Sequence, residues 1–457
     1  MTRYLTARKL LTNIGRPVTA FASRLTPALV VAGIAALGGP AIARAAWTDP
    51  VTLSPTNLAA QDAQVAIDTS GNGVVTWERF NGSTNPGTNF RAQARTRSAS
   101  GQLGPIVTLA AADQRAEFPQ LGVDAGGNAV FAWQRSDGSN TRIEARSLSS
   151  AGVLGPVQTL SDPGEDALYP RVAVFSNGNA IVTWQRFDGT RWRVQAVVRG
   201  ASGAVGTVDT LSNASLDAAE PDVAFDGKGN AVFVWWTSDG TIYQAFARAR
   251  SAAGTYGPEQ PLDDGTQNAL KPRLAVTAKG KAVFTWYRFV TGDDFNVRER
   301  VRSPAGALSP VQTLSDLGES ALDPVVAVDG SGNAVFAWQR YIPGASTIRA
   351  RARAGTGALS AIQTLSDADK DAHSPRIGVN SGGDSIVVWE SDSSGNPRRI
   401  LERGRSAAGT LGAIMTLSDV TRAAQTPQLA MNPLGNALVA FQRASGLDRR
   451  IQATAGP

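Results

Sequence analysis

The sequence predicts an all-β chain built from one unit repeated eight times around a ring, and three observations carry that expectation. The nine residues GNAVFAWQR occur at 127–135 and again, unchanged, at 332–340. A tryptophan at their centre returns at Trp77, Trp133, Trp184, Trp235, Trp286, Trp338 and Trp389, then as Phe441, in steps of 51 to 56 residues. A leucine column, Leu53, Leu109, Leu160, Leu211, Leu262, Leu314, Leu365 and Leu417, keeps the same steps. Self-similarity at about 50 residues is the signature of a repeat architecture.

Each unit holds four short β-like runs. In the sixth they are Val326–Asp329, Asn333–Trp338, Thr347–Arg351 and Ala361–Leu365. Gly and Asn punctuate the first hairpin, Asp329-Gly-Ser-Gly-Asn333, where a tight turn needs positive φ. Four strands per unit in radial repetition describe an eight-bladed β-propeller. The ends argue for closure. The last unit stops after a third strand at Arg450–Ala453, and the missing fourth strand stands at Val51–Ser54, ahead of the first unit. Pairing the two leaves no ragged sheet edge.

Packing columns fit the same ring. One residue into the innermost run the chain carries Ala66, Gly122, Ala173, Ala224, Ala275, Ala327, Gly378 and Ala430, as a position crowded near the axis requires. In the second run Phe131 and Trp133 share one face while Val130 and Ala132 share the other, so each blade can nest into its neighbour. The eight aromatic anchors are read as core.

Residues 1–45 differ from the rest. They carry six basic side chains (Arg3, Arg8, Lys9, Arg16, Arg24, Arg44), no acid, the apolar run Ala28–Leu37, and the ending Ala43-Arg44-Ala45. That is the pattern of a secretory signal peptide, too short and Gly-interrupted for a membrane span. The propeller is therefore expected over 46–457, and the mature protein outside the cytoplasm, extracellular or periplasmic. The whole chain has 44 basic and 38 acidic residues; without the leader's six the two signs balance at 38 each. A neutral mature chain lacks the basic footprint of nucleic-acid binding. With no cysteine and a single histidine, His373, disulfides, a Cys nucleophile and poly-His metal sites are excluded. No cofactor is expected, and the mature chain is expected to be a monomer.

The hairpin formed by Pro324, Val326-Ala-Val-Asp329 and Ser331-Gly-Asn333-Ala-Val335, repeated at Val65-Ala-Ile-Asp68 and Ser70-Gly-Asn72, resembles the NHL and SBBP blade repeats of bacterial propellers. The likeness covers about 15 residues per blade. It implies a propeller used as a binding scaffold and no particular ligand. The strand after the Asn departs from it, ending in Trp-Gln-Arg, and NHL blades are shorter. The sialidase Asp-box, S-x-D-x-G-x-T-W, is absent.

In a symmetric ring, departures from the repeat are the candidates for function. Between the seven-times-repeated Pro and the innermost run stand Gln64, Gln120, Arg171, Asp222, Arg273, Val325, Arg376 and Gln428. If this position faces the channel mouth, Arg171, Arg273 and Arg376 point at a shared centre and can hold a carboxylate or sulfate, with Asp222 a counter-charge. Trp192 and Tyr243 occupy one loop column in adjacent blades, and Trp236 replaces the usual Gln; exposed together they would form a platform for sugar rings. The blade 1 insertion Asn81–Asn89 and Gly292–Phe295 lengthen the same rim. The repeated arginines Arg95, Arg146, Arg248, Arg300, Arg351 and Arg403, and the Gln-Arg pairs after the anchors, read as ladders at the blade edges, solvated or paired with acids. Asp-x-Ser-Gly-Asn at 68–72 and 329–333 lacks the alternating carboxylates of a calcium loop and reads as turn chemistry.

No G-x-S-x-G elbow and no P-loop occur. The expected function is an exported, non-enzymatic scaffold binding a glycan or protein partner through the face bearing the loops between second and third strands. The alternatives are a propeller hydrolase or lyase acting on an acidic sugar, and a structural surface protein. An enzyme requires a carboxylate within a few ångströms of the converging arginines.

Overall fold

The computed structural model describes residues 46–457 apart from 83–88, 112–114, 291–293, 344, 369, 394–395 and 447. The leader, the centre of the blade 1 insertion, and Gly292 and Asp293 lie outside the described residues. Among those described, every regular element is a strand, and no helix is long and apolar enough to cross a membrane.

Eight four-stranded antiparallel sheets form the blades. Blade 1 comprises Ala60–Ile67, Gly73–Phe80, Phe90–Arg97 and Val107–Thr108, and blades 2 to 7 repeat this order. The first strand of each blade touches the first strand of the next, blade 8 touching blade 1, so the innermost strands close a circle around a channel. Closure comes as expected: Val51 pairs with Ala453 and Thr52 with Gln452, completing blade 8 from the other end of the chain.

The nesting of the blades follows from alternation. Phe131 and Trp133 pack on Val74, Ala92, Ala94 and Leu109 of blade 1, while Ala132 packs against Trp184 of blade 3. All seven tryptophan anchors and Phe441 are at most 1% exposed. Burying each stabilises by roughly 2–3 kcal/mol on area grounds. The small-residue column is crowded as expected: a Cβ on Gly122 would lie 2.7 Å from a Val174 methyl of the next blade.

Two features depart from the sequence reading. The innermost strands begin earlier than expected and are broken by a bulge. In blade 1, Gln61 pairs with Glu78 and Gln64 with Thr76, so Asp62 and Ala63 together oppose Trp77. The first bulge residue has positive φ in every blade: Asp62, Phe118, Tyr169, Glu220, Lys271, Asp323, Ser374 and Thr426, at 48–55°. Non-glycine residues adopt this region at a cost, so a ring of eight is held by its surroundings. The second bulge position is the repeated proline, whose missing N–H leaves no ladder bond unmade.

The repeated arginines are also not solvated ladders. Nε of Arg95, Arg146, Arg248, Arg300, Arg351 and Arg403 donates to a carbonyl nine residues on, at 2.7–2.8 Å. Their Nη1 donates to the carbonyl of Leu53, Leu109, Leu211, Leu262, Leu314 and Leu365 in the preceding blade, at 2.8–3.3 Å. The leucine and arginine columns are thus two halves of one staple between blades.

Candidate functional site

The start of each innermost strand lies against the end of the second strand, as Ala60 does against Arg79, and the second and third strands meet there, as Phe80 does with Phe90. Bulges, arginine column and second-to-third-strand loops therefore share one face of the ring. Two tiers of side chains stand at this end of the channel.

The outer tier is the positive-φ ring. Its members touch across blade boundaries: Lys271 Nζ lies 2.5 Å from Asp323, and the Phe118 and Tyr169 rings meet edge to face at 5.5 Å. Their backbone amides are held by the residue following each anchor. Tyr169 N–H donates to Gln134 Oε1 at 2.7 Å, Glu220 N–H to Gln185 at 3.3 Å, Thr426 N–H to Glu390 at 2.7 Å, and Phe118 N–H to Glu78. The Gln of the Gln-Arg pairs is therefore buried between blades rather than at a wet edge; Gln185 is fully buried. The Arg of each pair finds an acid or a carbonyl, as Arg135 does at 3.3 Å from Glu144 and Arg340 at 2.7 Å from Glu319.

The inner tier is the arginine column. Arg171, Arg273 and Arg376 come from blades 3, 5 and 7. Burial pushes the Arg376 guanidinium down to about 10, and the positive charges of Arg273 and Arg171 push the same way, although Arg171 lies across the ring. Arg171 is likewise held below its ordinary value, first by burial, then by Arg273, with Asp222 opposing. Arg171 and Arg376 stay charged at neutral pH. Their bonds within the protein are few. Among the described residues Arg171 and Arg273 each donate only to the carbonyl of the preceding proline, at 3.5 and 3.2 Å. Arg376 donates to Pro375 O at 2.9 Å and to Gln428 Oε1 at 3.1 Å. No ion pair within 4.0 Å joins any of them to a carboxylate among the described residues, and Asp222 accepts from the N–H of Val223 at 3.0 Å.

The aromatic column is arranged differently from the expectation. Trp236 is 8% exposed and presents no open face. It packs edge-on against Tyr243 at 5.0 Å, within one hairpin. Trp192 packs on Phe187, its cross-strand partner, at 5.5 Å, as Phe90 packs on Phe80 at 5.9 Å. These rings close the mouths of their own hairpins. The exposed aromatic on this face that sequence reasoning passed over is Tyr169, 37% exposed; its signal was only a position before a repeated proline.

The Asp-x-Ser-Gly-Asn hairpins are consumed by turn bonds. Asp68 Oδ1 accepts from the N–H of Ser70 and Asn72 at 2.9 and 2.8 Å, and Oδ2 from the Asn72 amide at 2.8 Å. Asn72 in turn accepts from the N–H of Ala99 at 3.0 Å, tying two hairpins of one blade together. Among the described residues no group of three or more acids or histidines is placed to hold a metal.

No family model matches the chain, and no curated protein matches it. Solved structures do. The β-propeller domain of the trilobed protease from Pyrococcus furiosus aligns at 7% identity over 79% of this chain and 99% of that one, TM-score 0.47. The polysaccharide lyase Uly1 aligns at 8% identity over 78% and 90%, TM-score 0.47. A puromycin hydrolase aligns at 15% identity over 84% of this chain, which spans 58% of that enzyme, TM-score 0.47. The sheet order and the closed ring described above make this chain an eight-bladed β-propeller.

Proposed function

We propose that the chain is an exported binding scaffold that holds an anionic group of an extracellular glycan or protein at the mouth of its channel. The observation that carries this reading is that Arg171, Arg273 and Arg376 share one column at this end of the channel and act on one another, with no ion pair to a carboxylate within 4.0 Å among the described residues. Guanidiniums packed against their own repulsion gain from an anion set between them, and forked donors suit a carboxylate or sulfate. The NHL/SBBP-like hairpins support a scaffold role, and residues 1–45 support export; the exported chain should begin at Ala46 when its N-terminus is sequenced.

A catalytic reading needs an acid beside these arginines. Asp222 and Glu220 act on Arg171, and Asp323 and Glu390 on Arg376, yet among the described residues none of these acids forms an ion pair with an arginine of the column within 4.0 Å. Binding is therefore the reading the geometry favours. Arg273 is the residue to change, because it acts on both other guanidiniums. Isothermal titration of the mature chain with sulfate should show saturable binding that Arg273→Glu abolishes. Equal affinity in the variant would overturn the proposal.

A further inference from the structure

The inner tier carries more than charge. Beside the arginines, Gln64 and Gln120 of blades 1 and 2 occupy the same column. Neither side chain has a partner among the described residues, whereas Gln428 is engaged by Arg376. Side-chain amides that stay uncommitted offer one acceptor and two donors each, a set suited to hydroxyl groups. Above them, Phe118 fixes the Tyr169 ring edge to face while leaving Tyr169 37% exposed. Tyr169 and Arg171 are separated only by Pro170, so ring and guanidinium belong to one mouth.

Three different chemistries thus meet at one end of the channel: a cluster of guanidiniums, a pair of free amides, and an exposed aromatic ring held in place. Sulfate or acetate engages only the first. Resting on the anion-site reading above, we infer that the ligand is a uronic-acid residue of a glycan. Its carboxylate sits among Arg171, Arg273 and Arg376, its hydroxyls meet Gln64 and Gln120, and one face of its ring lies on Tyr169. The C–H bonds of a pyranose face carry slight positive charge and meet the negative face of an aromatic ring. The strained backbone at Tyr169, φ 54°, is what turns its side chain out of the sheet's alternation at this point.

The probes are a galacturonate trisaccharide, its methyl ester, acetate and inorganic sulfate, each titrated into the mature chain by calorimetry. The trisaccharide should bind at least tenfold more tightly than acetate, and the methyl ester, which keeps the ring and loses the charge, should not bind. Tyr169→Asn should weaken the trisaccharide about tenfold and leave sulfate unchanged; asparagine tolerates positive φ, so the bulge survives. Should that variant lose sulfate as well, Gln120→Ala replaces it, with the same selective loss expected. Acetate or sulfate binding as tightly as the trisaccharide would overturn the uronate inference while leaving the anion site standing. Selective loss in neither variant would do the same. Absence of binding by every probe, sulfate included, would overturn both.

Discussion

Glu78 stands where blades 2, 3, 6 and 8 carry Gln134, Gln185, Gln339 and Gln442. Burial raises its carboxyl to about 8, the bond from Phe118 N–H opposes, and the nearby Asp62 raises it further. A carboxyl whose native pKa lies above its unfolded value binds its proton more tightly when folded. Its contribution to stability is therefore full in acid and is lost as pH rises from the unfolded value of 4.5 toward 8. The loss is on the order of a few kcal/mol. Glu78→Gln installs the amide that four other blades use and should flatten this part of the pH profile. Denaturant unfolding of both proteins at pH 5 and pH 8 checks it: the variant's advantage must appear at pH 8 and shrink at pH 5, and parallel profiles would refute the assignment. At this scale the sequence was partly legible. Arg171, Arg273 and Arg376 stood out because they break a column that is otherwise mixed. The burial of Gln134 or Gln185 did not, because their acceptor role depends on a backbone N–H of the next blade, displaced by a bulge that leaves no residue-type signature beyond a proline.

The hairpin between first and second strands is the element on which the repeat is built. Asp124, 7% exposed, accepts from the N–H of Gly126 and Asn128 at 2.9 and 2.8 Å and from the Asn128 amide at 2.8 Å. Asp226 and Asp329 do the same in their blades, and Asn380 and Asn432 fill the position in blades 7 and 8. Removing a side-chain acceptor that serves three donors should cost about 2–3 kcal/mol. Asp124→Ala is therefore expected to unfold at lower denaturant with an unchanged slope, and Asp124→Asn to lose less than half as much. The loss should not be fatal, since blade 3 makes its turn with Phe175 there and Asn177 as acceptor at 2.9 Å. Equal losses in the two variants would show that the carboxylate itself, not an oxygen acceptor of this shape, holds the turn. These hairpins were legible because Asp, Gly and Asn at fixed offsets dictate a turn. The arginine staples were not, because Arg95 and its equivalents bond to carbonyls, which every residue has.

For the whole molecule the decisive contact joins the first described residues to the last. Leu53, 1% exposed, packs with Trp77, Ile451 and Ala453, its N–H bonds to Ile451 O at 2.8 Å, and its own carbonyl receives the Arg95 staple. Trp47 donates its indole N–H to Glu402 of blade 7 at 3.1 Å and covers Gly456 of blade 8. Residues 47–54 thus hold three blades at once, and the ring was legible beforehand because a fourth strand missing at one end appeared at the other. In a closed ring every blade has two neighbours, so opening one seam exposes an unpaired strand, 448–456, and two apolar blade faces. A chain lacking residues 46–54 should melt well below the full mature chain and aggregate on heating, whereas Leu53→Ala, which leaves the strand in place, should cost only about 2–4 kcal/mol. Because the lost segment binds as a strand, a synthetic peptide of residues 46–56 added in excess should restore the melting temperature in a concentration-dependent way, as a ligand of the folded state must. Identical melting with and without residues 46–54 would mean that the seam carries no stability, and the staples between neighbouring blades would then have to hold an open ring unaided.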